Sequence, residues 1–120
     1  MGNPQFACSS LEVLNKSKHQ VVGVVSNPPK RMKRSKEVSF TPVGNLAKKL
    51  NINLFTIDNL SNPDLKDWIV RIDPDIIIVV AFKILPKSIT ELPGIIAMNL
   101  HASLLPKYRG AAPIQHALMN

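Results

Sequence analysis

Four short apolar runs punctuate the chain, at residues 21–25, 52–57, 76–81 and 95–100. They are rich in Val and Ile and bounded by Asn, Asp, Pro and Gly. Continuous apolar runs of this length predict strands covered on both faces. Between them, residues 6–15, 43–50 and 63–72 carry apolar side chains at helical spacing. Asn62 ahead of Pro63 predicts a capped helix start, with Asp64 and Asp67 near the positive end of its dipole. Leu65, Ile69 and Ile72 mark the inward face of that helix, with Trp68 packed beside them. Strand–helix alternation implies right-handed crossovers, hence an α/β fold: a Rossmann-like, doubly wound parallel sheet.

Composition narrows the class. A chain of 120 residues, 45% of them hydrophobic, can bury one core as one domain. No apolar segment approaches membrane length, and the start lacks a signal-peptide pattern. Cys8 is the only cysteine, which excludes an internal disulfide and suits a reducing compartment; it reads as a small packing residue. Three histidines and one cysteine show no metal-ligand spacing, so no metal is expected. Asp73, Asp75 and Glu91 lack the paired spacing of two-carboxylate catalysis, and Asp73-Pro-Asp75 reads as a turn into a strand. Met1-Gly-Asn-Pro holds a single glycine and is no dinucleotide fingerprint.

Charge adds a second theme. The net charge is +7, and Lys30, Arg31, Lys33, Arg34 and Lys36 crowd into seven residues just after Pro28 and Pro29. Such a run cannot join a core. It reads as an exposed, flexible loop whose field suits phosphate backbones, or as a solvated loop that serves solubility alone.

The densest chemistry lies at Asn99-Leu-His-Ala-Ser-Leu-Leu-Pro-Lys-Tyr-Arg-Gly-Ala-Ala-Pro-Ile114, directly after the last apolar run. Strand side chains alternate, so Asn99 and His101 point the same way at a strand's carboxyl end. In open parallel sheets that end is where ligands bind. An amide donates hydrogen bonds without titrating, whereas an imidazole can donate and shuttle a proton near neutral pH. The plainer alternative is that Asn99 caps a turn and His101 is a satisfied core residue.

Several segments together resemble the folate-dependent formyltransferases. They are Met1-Gly-Asn-Pro-Gln-Phe-Ala7, Pro42-Val43, Val79-Val-Ala-Phe82, Asn99-Leu-His101, Ser103-Leu-Leu-Pro106 and Arg109-Gly-Ala-Ala-Pro-Ile-Gln115. The likeness covers essentially the whole chain. It implies a formyl group passing from 10-formyltetrahydrofolate to the amine of methionyl-initiator tRNA, without a metal or a membrane. It implies Asn99 and His101 as catalytic groups, and Ser103, Leu104, Leu105, Pro106 and Phe82 around the folate. Lys30, Arg31, Lys33, Arg34 and Lys36 would meet the tRNA, with Arg34 at the family's key loop arginine. A bacterial cytosol or organelle matrix, and a monomer when complete, follow from the same likeness.

The chain also departs from the family pattern. Lys33 and Ser35 stand where glycines usually flank that arginine. Ala81-Phe-Lys-Ile-Leu-Pro86 is one residue shorter than the common Ala-Tyr-Gly-x-Ile-Leu-Pro, with Phe82 and Lys83 replacing Tyr and Gly. No strand precedes the helix at 6–15, and the family's orienting aspartate and C-terminal tRNA-binding domain would lie beyond Asn120. Residues 1–120 are therefore expected to be part of the N-terminal catalytic domain, truncated at both ends and inactive alone. Two other readings stay open. One is a non-catalytic basic nucleic-acid-binding module, and the other a related formyltransferase acting on a sugar-nucleotide or purine-precursor amine.

Overall fold

The computed structural model of the protein describes residues 1–31 and 37–100. The chain forms two compact units, one of Gly2–Asn59 and one of Met1 with Leu60–Asn120.

In the first unit, helix α1 (Gln5–Lys16) begins after Pro4 and buries Ala7, Cys8 and Leu11. It stops at Ser17, whose amide and hydroxyl both donate to the Leu14 carbonyl, at 3.2 and 2.6 Å. Strand β1 (Val24–Ser26) pairs in parallel with β4 (Leu54–Thr56), Val25 opposite Phe55. Helix α2 (Pro42–Lys49) is the crossover between them and packs on α1 and on both strands. Thr41 caps α2 by accepting the Gly44 amide at 3.0 Å, with Pro42 preset in the first turn. The far end closes through Asn51 in the left-handed region, φ 57°. There the Asn51 amide donates to Lys48 O at 3.2 Å and the Ile52 amide to Ala47 O at 2.9 Å. Strands β2 (Lys30–Arg31) and β3 (Val38–Ser39) form a two-rung antiparallel ladder.

In the second unit, helix α3 (Pro63–Ile72) starts as its sequence predicts, Asn62 Oδ1 accepting the Asp64 amide at 2.9 Å. Leu65 and Ile69 are fully buried, while Trp68 and Ile72 are half-buried. Asp73, left-handed at φ 48°, ends the helix. Strand β5 (Ile76–Val80) pairs in parallel with β6 (Ile96–Leu100), Val79 opposite Asn99. Between them lies the short helix α4 (Lys87–Thr90), which buries Ile89. Met1 adds a rung to the other edge of β5: its amino group donates to Ile78 O, and the Val80 amide donates to Met1 O at 2.8 Å.

Two parallel strand pairs joined through helices give the α/β, Rossmann-like class that the alternation predicts. Three details differ from the sequence pattern. The run at 21–25 becomes a strand only from Val24, and it extends to Ser26. That side chain is fully buried and its hydroxyl donates to Asn27 O at 3.2 Å, so a polar residue sits where periodicity asks for an apolar one. Ile95 stays outside β6, strongly exposed. Lys30 and Arg31, expected in a flexible loop, are instead paired with Ser39 and Val38. Backbone pairing can hold an exposed basic dipeptide that no hydrophobic pattern marks.

Candidate functional site

At the carboxyl end of β6, Asn99 lies half-buried on the same strand face as buried Ala97. The facing row runs through Val79 of β5 to the backbone of Met1. Among the described residues no hydrogen bond of the Asn99 side chain is seen. The neighbouring strand ends abruptly: Ala81 takes φ 48°, a left-handed conformation unfavourable for a residue with a Cβ. That turn throws the chain out of β5 into half-buried Phe82, while Leu85 returns to the core. Asn99 and Phe82 thus lie at the same end of one parallel pair. His101, Ser103, Leu104, Leu105 and Pro106 lie outside the described residues, as do Lys33, Arg34 and Lys36.

Electrostatics single out two groups. The Met1 amino nitrogen is buried, and loss of water lowers its pKa to about 5. Burial pushes the Cys8 thiol up, and the nearby Glu12 carboxylate adds to the shift. Cys8 is only 5% exposed and stays protonated at neutral pH, the packing role its sequence context suggests. Among the described residues no three His, Cys, Asp or Glu side chains could hold a metal ion. Among the same residues no helix is long and apolar enough to cross a membrane.

At the corresponding end of β1 in the other unit, the side chain of Asn3 accepts the Asn27 amide at 2.8 Å, and its carbonyl accepts the Val43 amide at 3.3 Å. The Oδ1 atom of Asn27 is buried with no partner among the described residues. Sequence reasoning passed over this junction, although Asn3 sits inside the Met1–Ala7 motif and a short polar side chain beside a helix start is a recognisable signal. The basic segment emerges just beyond, with Lys30 and Arg31 exposed on the β2–β3 ladder.

Comparison with known proteins matches these elements along the whole chain. A family model described as formyl transferase covers residues 1–120. A methionyl-tRNA formyltransferase of Sulfurihydrogenibium sp. (strain YO3AOP1) is 47% identical over 120 residues, covering 98% of this chain and 39% of that relative. One from Alkaliphilus oremlandii (strain OhILAs) is 45% identical over all of this chain and 39% of its own length. Another, from Syntrophomonas wolfei subsp. wolfei, is 44% identical over all of this chain and 38% of its own. The chain therefore spans about two fifths of the length of these curated relatives. Matched from its first residue to its last, the chain belongs to the formyl transferase family.

Proposed function

We propose that the protein to which residues 1–120 contribute transfers a formyl group from 10-formyltetrahydrofolate to the amino group of methionyl-initiator tRNA. The observation that carries this reading is Asn99, a half-buried amide at the carboxyl end of β6 in a chain 47% identical to a methionyl-tRNA formyltransferase. The amine lone pair attacks the formyl carbon, the carbonyl electrons move onto oxygen, and the N10–carbon bond breaks as the tetrahedral centre collapses. One proton leaves the attacking nitrogen and one reaches N10, so the products are the formamide and tetrahydrofolate. The Asn99 amide donates to the developing oxyanion, and His101 carries the proton between the nitrogens. Phe82 and the segment from Ser103 through Leu104 and Leu105 to Pro106 line the folate. Lys30, Arg31, Lys33, Arg34 and Lys36 meet tRNA phosphates, Arg34 foremost. Residues 1–120 belong to a single catalytic domain, and the working enzyme is a monomer in a bacterial cytosol or organelle matrix.

The deciding experiment is a formyl-transfer assay on the full-length protein with methionyl-initiator tRNA and 10-formyltetrahydrofolate. Formyl-methionyl-tRNA should form, and His101→Ala should lower turnover by orders of magnitude while leaving the thermal transition in place. Absence of product in the wild type, with tRNA still bound, would favour a non-catalytic basic module. Product on a sugar-nucleotide or purine-precursor amine instead would reassign the acceptor.

A further inference from the structure

The β2–β3 ladder has only two rungs, and Lys30, Arg31, Val38 and Ser39 are all exposed. A pair of strands that buries no apolar face is marginal in water on its own. Something outside the ladder must hold it. Directly after β3 comes Phe40, half-buried against α2. The Lys48 ammonium sits over its ring, 3.7 Å from the centroid. The Asn45 side-chain amide donates to the Phe40 carbonyl at 3.5 Å, and the Ser39 hydroxyl donates to the same oxygen at 3.3 Å. Position 44 is a buried glycine, and a Cβ built there would lie 3.3 Å from the Phe40 Cβ. The missing side chain at Gly44 thus leaves room for Phe40 against α2. At the ladder's other end, Pro28 and Pro29 restrict the backbone just after Asn27, which is tied to Asn3.

We propose that Phe40 is a positioning residue for nucleic-acid binding: clamped between Gly44 and Lys48 of α2, it holds the β2–β3 ladder so that Lys30 and Arg31 face the tRNA already ordered. This rests on the reading that the protein acts on tRNA. Consecutive strand residues project to opposite sides, so Lys30 and Arg31 present a cation on each face of the ladder. Ordering them before encounter removes part of the conformational cost of binding. Under this proposal Phe40 has no part in folate binding or in the chemical step. Its loss should therefore weaken tRNA recognition without changing the chemical step.

The test uses the full-length protein and three variants, Phe40→Ala, Phe40→Tyr and Lys48→Met. Phe40→Ala should raise the KM for methionyl-tRNA by about three- to tenfold, the scale of a lost ring–cation contact and its ordering effect. The kcat and the KM for 10-formyltetrahydrofolate should hold. Amide exchange of the ladder residues should quicken in Phe40→Ala and return to the wild-type rate in Phe40→Tyr, which keeps the ring. Lys48→Met removes only the cation and leaves the packing, so it carries the test if Phe40→Ala fails to fold; its ladder amides should exchange about threefold faster. Wild-type tRNA KM and ladder exchange in Phe40→Ala would overturn the proposal alone. So would a parallel rise in both KM values, the mark of a general structural role. A wild-type protein without tRNA affinity would overturn the functional reading and this proposal together.

Discussion

Asn99 carries the residue-scale test of the proposed formyl transfer. Its amide is neutral at every working pH, and the half-buried end of β6 gives it a fixed direction at little conformational cost. Replacing it with Ala in the full-length enzyme should cut kcat by about 10²–10³, the usual loss for one oxyanion donor. Steady-state kinetics should show the KM for tRNA nearly unchanged; a loss confined to KM would mean that Asn99 binds rather than activates. Asn51 illustrates a different residue-scale demand. With φ 57° and the two closing hydrogen bonds of α2 on either side, the position needs a side chain that tolerates left-handed backbone. Asn51→Ala should cost about 1 kcal/mol of stability, and Asn51→Gly should be neutral or slightly stabilising. Denaturant titration of the pair measures this directly, and equal losses would place the role in the Asn side chain instead.

At the scale of elements, the ladder and the first strand rung each carry a prediction. Lys30→Ala with Arg31→Ala should reduce the slope of log tRNA affinity against log salt by about one for each lost phosphate contact. Parallel salt plots for variant and wild type would identify the basic segment as a solvated charge run. The rung made by Met1 is pH-sensitive wherever its α-amino group is free. Burial against β5 lowers the pKa of that amine to about 5 from its ordinary 8.0, so between these values the unfolded chain holds more protons than the folded one. Stability should therefore rise as pH climbs from about 5 to 8, by on the order of 4 kcal/mol if this group acts alone. Chemical denaturation across that window should show the rise, and acetylating the amine should flatten it. The helices were legible because caps and periodicity are local: Asn62-Pro63 announces the start of α3 in two residues, and apolar spacing marks α1 and α2. The ladder was not, because Lys30 and Arg31 are drawn into pairing by Ser39 and Val38, across a segment that shows no alternating pattern.

For the whole molecule, the two sides of the β5–β6 pair behave differently. Ile77, Val79 and Ala97 are buried on one face, whereas Ile76, Ile96 and Leu100 on the other are about 40% exposed. Among the described residues β6 is paired only with β5, so an apolar face adjoins an open strand edge. Both features promote association between copies. The isolated 120-residue chain should sediment as a concentration-dependent mixture, and Ile96→Lys should shift it toward monomer. A wild-type chain that stays monomeric across a hundredfold concentration range would contradict this.

The sequence by itself determined the helix–strand alternation, the inward face of α3, and the position of Asn99 at a strand's carboxyl end. These follow from periodicity, capping and alternation, which act over a few residues and need no distant partner. Only the tertiary structure decided that Ser26 is buried and that Met1 pairs with β5. It alone gave Ala81 its left-handed exit beside Asn99, and Phe40 its seat between Gly44 and Lys48. Each of these depends on backbone hydrogen bonds or packing between residues far apart in the chain, or on a turn imposed by its surroundings. No local pattern encodes such partners, because the same short sequence would behave differently against another neighbour.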